Sequence, residues 1–162
     1  GLGWSVAGGH DIDGDASPDL VAGTAPGAGV GFVRAYRGST GAPISTITGF
    51  QATTFGSTFH ALALGDIDLD GRAEVVIGEG SHDWWRGRVR VHAGASGALI
   101  HEIAGAASGG GAGQAFGISV DLLGDVDGDG RRDFVVGAPD PFGRGAGSAF
   151  VYSGATGALL WS

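Results

Sequence analysis

The sequence predicts an all-β chain built of β-propeller blades, on three observations. One acidic loop design occurs three times, starting at Asp11, Asp66 and Asp125, so its first aspartates stand 55 and then 59 residues apart. Each loop runs into a short apolar strand that ends in Gly: Leu20-Val21-Ala22-Gly23, Val75-Val76-Ile77-Gly78 and Phe134-Val135-Val136-Gly137. A near-identical turn then recurs in each unit, Gly38-Ser39-Thr40-Gly41-Ala42, Gly94-Ala95-Ser96-Gly97-Ala98 and Gly154-Ala155-Thr156-Gly157-Ala158. Four strand candidates at this period describe four-stranded antiparallel blades. A sandwich would not place the same loop once per four strands, and a calcium-binding β-helix would repeat about every nine residues.

Taken in order, the units are 1–49, 50–108 and 109–162 of a single segment. The first offers strands over Gly3–Gly8, Asp19–Gly23, Gly31–Gly38 and Ala42–Gly49. The second offers Phe59–Gly65, Glu74–Gly78, Gly87–Gly94 and Ala98–Gly105. The third offers Gly117–Gly124, Asp133–Gly137, Gly147–Gly154 and Ala158–Ser162. The alternating run Arg88-Val89-Arg90-Val91-His92 reads as a strand with one face exposed. The recurring turn has glycines at both ends for positive φ and a Ser or Thr that can bond its own backbone, as a tight hairpin requires. No segment sustains a 3.6-residue period with caps, so little or no helix is expected.

The loops carry the chemistry. Carboxylates at positions 1, 3, 5 and 9 are Asp11, Asp13, Asp15 and Asp19; then Asp66, Asp68, Asp70 and Glu74; then Asp125, Asp127, Asp129 and Asp133. The main-chain carbonyl at position 7 (Ser17, Arg72, Arg131) can add an oxygen, and water can complete the six to eight that Ca²⁺ prefers. Three calcium sites are expected. Without a cation the clustered carboxylates repel one another. An EF-hand is excluded, because position 12 of the third loop is Val136, inside a strand run, where that motif needs a bidentate Glu and flanking helices. Position 6 is Gly71 and Gly130 in two loops but Ala16 in the first, which costs about 1 kcal/mol wherever a positive φ is required.

Composition narrows the functions. The chain has 162 residues and a formal charge of −8, and the loops account for the acidity: they hold twelve of the 17 acids. Three divalent cations would bring it close to neutrality. With no basic stripe, nucleic-acid binding is disfavoured. Cys is absent, so there is neither a disulfide framework nor a thiol nucleophile. No Gly-x-Ser-x-Gly elbow occurs either, and metal-bound carboxylates cannot act as general acids. A non-catalytic role is expected. No apolar run approaches the roughly 18 residues that span a bilayer. With neither an initiating Met nor a signal peptide, the chain reads as a processed or excised piece. Calcium loops suit a secreted or cell-surface setting, and cations supplied by Arg alone suit a GC-rich bacterial genome.

Phe116-Gly117, the loop Asp125–Asp133 and Gly137-Ala138-Pro139 together resemble the FG-GAP repeat of integrin α-subunit propellers and of many bacterial surface proteins. The second unit has Phe55-Gly56 and its loop, but Gly78-Glu79-Gly80 stands where Gly-Ala-Pro is expected. The first has Leu2-Gly3, its loop, and Gly23-Thr24-Ala25-Pro26. The resemblance implies a calcium-stabilised propeller that binds partners on the face opposite its calcium loops. Family propellers have more blades than three, and three cannot close a ring. The chain is then either part of a larger propeller or half of a six-bladed ring completed by a homodimer.

On that opposite face the loop Glu79–Gly87 holds Trp84, Trp85 and Arg86, with His82 and Asp83 beside them. Either the indoles plug the gap between blades, or they form a platform for a partner side chain or a sugar ring. Phe142 and Arg144 are a fainter echo in the third unit. Trp4, Phe32, Phe134 and Phe150 read as buried, and His10 as a turn residue. Three functions are thereby expected: a protein-binding or adhesion module, a carbohydrate-binding or accessory domain of a polysaccharide-degrading enzyme, or a unit that self-assembles into a closed propeller.

Overall fold

The computed structural model describes residues 1–24, 31–50, 61–106, 114–140 and 145–162. They form three four-stranded antiparallel sheets. The first contains β1 (Leu2–His10), β2 (Asp19–Thr24), β3 (Gly31–Tyr36) and β4 (Pro43–Phe50). The second contains β5 (Ala61–Gly65), β6 (Glu74–Glu79), β7 (Arg88–Ala93) and β8 (Leu99–Ala104). The third contains β9 (Ser119–Leu122), β10 (Phe134–Ala138), β11 (Ser148–Tyr152) and β12 (Leu159–Trp161). Each sheet is a simple meander with strands in chain order, which is the build of a propeller blade. The one helix among the described residues, α1 (His82–Trp85), is four residues long and left-handed at Asp83 and Trp84.

Two apolar cores sit between the sheets, because each blade alone has no second layer to bury its faces. Val21, Val33 and Ile47 of blade 1 meet Leu64, Val75 and Ile77 of blade 2. Ala63, Val76, Val89 and Val91 on the other side of blade 2 meet Phe116, Phe134, Val136 and Tyr152 of blade 3. Phe134 stacks on Tyr152 with ring centroids 5.7 Å apart, and Phe116 meets Tyr152 edge-on at 5.9 Å. The Phe-Gly pair thus has two jobs. Phe116 fills the interblade core, while Gly117, at φ +86°, brings its own carbonyl against Gly78 of blade 2, where a Cβ would collide.

The acidic loops also cross between blades. Position 2 of the first loop, Ile12, is fully buried, and Ile67 at the same position of the second loop is 2% exposed. Ile12 reaches Gly94 in the β7–β8 turn of blade 2, and Ile67 reaches Gly154 in the β11–β12 turn of blade 3. Backbone bonds follow the same path: Ala73 N–H donates to the Asp11 carbonyl (2.7 Å) and Arg132 N–H to the Ile67 carbonyl (2.9 Å).

Three expectations for strand residues need correction. Trp4 is not core; it is 57% exposed, because it lies on the blade 1 face against which neither of the other two described blades packs. Phe32 is only half-buried on that same face, beneath the Arg34 guanidinium 4.9 Å from its ring centre. Conversely the polar face of β7 is not exposed. Arg90 and His92 are buried against blade 1, since a stacked blade is covered on both sides. Phe134 is fully buried and Phe150 half-buried, while His10 ends β1 opposite Asp19. Phe55-Gly56, Phe142, Arg144 and the loop residues Ala25 to Val30 lie outside the described residues.

Phe134→Ala should cost about 3–5 kcal/mol, since it removes a fully buried ring from the blade 2–blade 3 core. The check is the urea midpoint of equilibrium unfolding, expected to fall with an unchanged slope.

Candidate metal centres

Each acidic loop joins the first and second strands of its blade, so all three emerge at one end of the sheets. Locally they follow one hydrogen-bond scheme. The position 1 carboxylate accepts the position 6 N–H: Ala16 to Asp11 at 2.7 Å, Gly71 to Asp66 at 3.0 Å, and Gly130 to Asp125 at 2.9 Å. The position 3 carboxylate accepts the position 5 N–H, from Asp15 to Asp13, Asp70 to Asp68, and Asp129 to Asp127. The position 5 carboxylate accepts the position 7 N–H, from Ser17 to Asp15, Arg72 to Asp70, and Arg131 to Asp129. With its amides spent this way, the loop coils and points its remaining carboxylate oxygens inward.

That coil demands left-handed backbone at two positions. Position 6 has φ of +65° at Ala16, +89° at Gly71 and +87° at Gly130. Position 4 does too, with Gly14 at +86°, Leu69 at +60° and Gly128 at +81°. Ala16 therefore carries the strain expected from the sequence, and Leu69 carries a second strain that the sequence reading missed. The D-x-D-G-D pattern of the other two loops, with Gly at position 4, was the signal for it.

The carboxylates converge. Asp11, Asp13 and Asp15 bring oxygens within 4.8 Å of one another, as do Asp66, Asp68 and Asp70, and Asp125, Asp127 and Asp133. Two oxygens each about 2.4 Å from one Ca²⁺ can be at most about 4.8 Å apart, so an all-oxygen donor set at this spacing fits a calcium ion. Asp129 lies outside the third cluster, and Asp19 and Glu74 lie outside the first two.

Position 9 has a second employment. Asp19 is 2% exposed and accepts the N–H of Ile12 (2.8 Å) and of Gly38 (2.9 Å). Asp133, fully buried, accepts those of Val126 (2.7 Å) and Gly154 (3.1 Å). Glu74 accepts the N–H of Ile67 at 2.8 Å. The carboxylate thus brackets the loop's second residue, and in blades 1 and 3 also the glycine of the β3–β4 or β11–β12 turn. Burial pushes the Glu74 carboxyl up to about 7, opposed by the Ile67 N–H. Asp11 differs: desolvation raises it, but the amides of Gly14, Ala16, Asp15 and Asp13 outweigh that and hold it below the usual carboxylate range.

Arginines tie neighbouring loops together. The Arg131 guanidinium donates to the Asp68 carbonyl (3.4 Å) and stands 3.6 Å from its carboxylate. Arg72 lies against Gly14 of the first loop. Within blade 1, Arg37 pairs with Asp13.

The opposite end of blade 2 is built differently. Glu79, where the sequence pattern expected Ala, is fully buried and accepts both Nε (2.9 Å) and Nη2 (2.9 Å) of Arg88. Arg90 adds Nε at 2.8 Å and Nη2 at 2.7 Å. The departure at Glu79 is therefore the counter-ion for two arginines in an apolar interface, and its signal was a charged residue ending an otherwise apolar strand. This network anchors the base of the β6–β7 loop. From there Asp83, Trp84 and Trp85 run through φ of +47°, +58° and +65°, so three successive residues with side chains are left-handed. Trp84 ends 57% exposed, Trp85 half-buried, and Arg86 exposed with its Nη1 2.9 Å from Asp83. Trp84 is thus the more exposed indole of the pair.

Comparison with known proteins adds to this geometry. Residues 11–77 match the model of an FG-GAP-like repeat, and residues 116–152 that of an FG-GAP repeat. The chain is 33% identical to integrin alpha-PS2 of Drosophila melanogaster over 94% of its own length and 12% of that protein's. It is 31% identical to integrin alpha-8 of Mus musculus over 94% of its length and 15% of that protein's. It therefore spans only a small part of these relatives. Among solved structures it resembles the Bacillus licheniformis rhamnogalacturonan lyase PL11 with a TM-score of 0.59 at 17% identity, covering 96% of this chain and 34% of that one. The exotype rhamnogalacturonan lyase YesX gives 0.57 at 16% identity, covering 95% and 32%. Identities this low speak to the fold alone.

Two predictions follow from the loop geometry. Ala16→Gly and Leu69→Gly should each stabilise the chain by about 1 kcal/mol by relieving left-handed backbone, read as additive shifts of the urea midpoint. Glu74 makes stability depend on pH in metal-depleted buffer. Its folded carboxyl titrates near 7 against 4.5 unfolded, so the folded state holds the extra proton between these values, and stability is lost as pH rises through that window. Glu74→Gln should be more stable than wild type by about 1–3 kcal/mol at pH 8, with the difference vanishing below pH 4.5.

Proposed function

The chain belongs to the FG-GAP repeat family, and on that premise we propose that it is a calcium-stabilised, extracellular protein-binding module whose ligand docks around Trp84. One observation carries the docking site: an indole kept 57% exposed on a strained turn, at the end of the blades opposite the acidic loops. Holding an aromatic in water on left-handed backbone lowers stability, and such strain concentrates where a binding surface is preorganised. The Asp83–Arg86 pair and the Glu79–Arg88 clamp limit the loop's freedom, which reduces the entropy lost when a partner binds.

Calcium would be held by Asp11, Asp13 and Asp15, by Asp66, Asp68 and Asp70, and by Asp125, Asp127 and Asp133. The ion supplies positive charge that lets the acids stay together; it is structural. A secreted or cell-surface setting, where calcium is abundant, fits that role, and no helix among the described residues is long and apolar enough to cross a membrane. We read the module as non-catalytic. Asp83 is paired with Arg86, and Glu79 with Arg88 and Arg90, so these acids serve as counter-ions rather than proton donors.

A second reading takes a glycan as the ligand, since a solvent-facing indole flanked by a polar Arg86 also suits stacking on a sugar ring.

Chelation should lower the thermal midpoint by about 10 °C or more, because each site filled at a hundred times its dissociation constant adds about 2.7 kcal/mol. An unchanged midpoint would remove calcium from the account. For the ligand, the calcium-loaded chain and its Trp84→Ala variant would be compared on arrays of extracellular proteins and of glycans. Protein signals that fall about tenfold or more in the variant support the first reading, and glycan signals that do so support the second. Binding that Trp84→Ala leaves unchanged would dismiss this loop as the site.

A further inference from the structure

The three acidic loops share one backbone scheme, so each is a control for the others, and the side chains around the first differ. In blade 1 the turn after β3 reads Arg37-Gly38-Ser39-Thr40-Gly41. It is Ala93-Gly94-Ala95-Ser96-Gly97 in blade 2 and Ser153-Gly154-Ala155-Thr156-Gly157 in blade 3. The three superpose by their bonding, because Arg37, Ala93 and Ser153 each donate an N–H across the turn, to the carbonyls of Ala42, Ala98 and Ala158. In blades 1 and 3 the turn is also pinned to its own loop, through Gly38 N–H on Asp19 and Gly154 N–H on Asp133.

Among the described residues, the blade 1 turn alone sends side chains into its loop. Arg37 Nε donates to Asp13 Oδ2, and Ser39 Oγ to Asp15 Oδ2 at 3.3 Å. Amides take the remaining oxygens: Asp15 N–H on Asp13 Oδ1, Ser17 N–H on Asp15 Oδ1, and Gly14 and Ala16 on the two of Asp11. All six oxygens of this cluster therefore face a protein donor. In loop 2 the turn offers only Ala93 and Ala95, and Asp68 Oδ2 has the Arg131 guanidinium at 3.6 Å, beyond hydrogen-bond distance. In loop 3 Ala155 has no hydroxyl, and Ser153 is buried and accepts Thr156 N–H (3.3 Å) within its own turn.

We infer that Arg37 is a built-in counter-cation of the first loop, holding Asp13 in calcium's stead, so that calcium fills this loop only by displacing the guanidinium. The inference rests on the calcium reading proposed above and divides its three sites into two classes. The Asp13 side chain is 10% exposed and that of Arg37 is 49% exposed, so the acid is fixed while the arginine has solvent to swing into. A guanidinium brings one charge and directed N–H donors, whereas Ca²⁺ brings two charges and gathers six to eight oxygens. Exchange therefore favours calcium, but only above a threshold that loops 2 and 3 do not impose. A charge-assisted hydrogen bond at a half-exposed site sets that threshold about tenfold higher. Loops 2 and 3 fill first; loop 1 keeps its coil when the ion is scarce and fills last.

The test is calorimetric titration of the chelator-treated chain with calcium, for wild type and for Arg37→Ala, which places in blade 1 the residue that blade 2 carries there. Wild type should bind two ions tightly and a third about tenfold more weakly, and Asp13→Asn should abolish the weak one alone. Arg37→Ala should tighten the third ion about tenfold, leave the other two unchanged, and lower the melting midpoint in calcium-free buffer. A residue that merely packs against the loop would loosen the ion when removed, so a third ion that is weakened or unmoved in Arg37→Ala overturns the inference. Three equivalent sites in wild type overturn it while leaving the calcium reading intact; no calcium uptake at all removes that reading and this one with it. Should Arg37→Ala not fold, the Arg37 Nε–H resonance of the wild-type chain decides. It should shift toward the position of a free guanidinium as the third ion binds, and a resonance unmoved at saturation overturns the inference.

Discussion

The bond between the position 9 carboxylate and the position 2 amide is what the rest of the molecule depends on. Asp19 holds Ile12, Glu74 holds Ile67, and Asp133 holds Val126. Each carboxylate is buried, so an unpaired charge there would be costly, and its amide partners make burial tolerable. In the first two loops the amide it holds belongs to the residue whose side chain enters the next blade, Ile12 and Ile67. One interaction thus joins the acidic loop to the interblade core, and electrostatics at the loop end becomes packing between sheets.

This coupling explains how a chain so rich in Gly and so acidic can stack its blades. Glycines remove the side chains that would separate neighbouring backbones, as where Gly78 meets Gly117. The acids, concentrated at one end, would otherwise repel, and the loop amides and Arg37, Arg72 and Arg131 offset part of that repulsion. The opposite end solves a smaller problem of the reverse sign. There Glu79 neutralises Arg88 and Arg90 within the stack, and the loop above it is free to carry Trp84 into solvent. The acidic loops and the Trp84 loop thereby lie a strand's length apart.

Much of the fold was legible because its signals are local and repeated. All twelve strand candidates exist, with ends shifted by no more than two residues; β9 is shortened most, to Ser119–Leu122 where Gly117–Gly124 was expected. The left-handed position 6, and its cost at Ala16, came from loop geometry alone. Less legible was anything that depends on which blade faces which. Trp4 and Phe32 read as core by their strand positions, but they lie on the face of blade 1 that the other two described blades do not cover. Arg90 and His92 read as solvent-facing by alternation, yet both faces of blade 2 are covered.

The sequence by itself determined the repeat, the strands, the turn chemistry and the clustering of carboxylates, because these arise among residues a few places apart. Only the tertiary structure decided that Asp19, Glu74 and Asp133 bracket amides, that Glu79 is a counter-ion, and that Trp84 rather than Trp85 meets solvent. Those outcomes turn on burial and on contacts between units more than fifty residues apart, and no local pattern encodes which surface a neighbouring blade will cover.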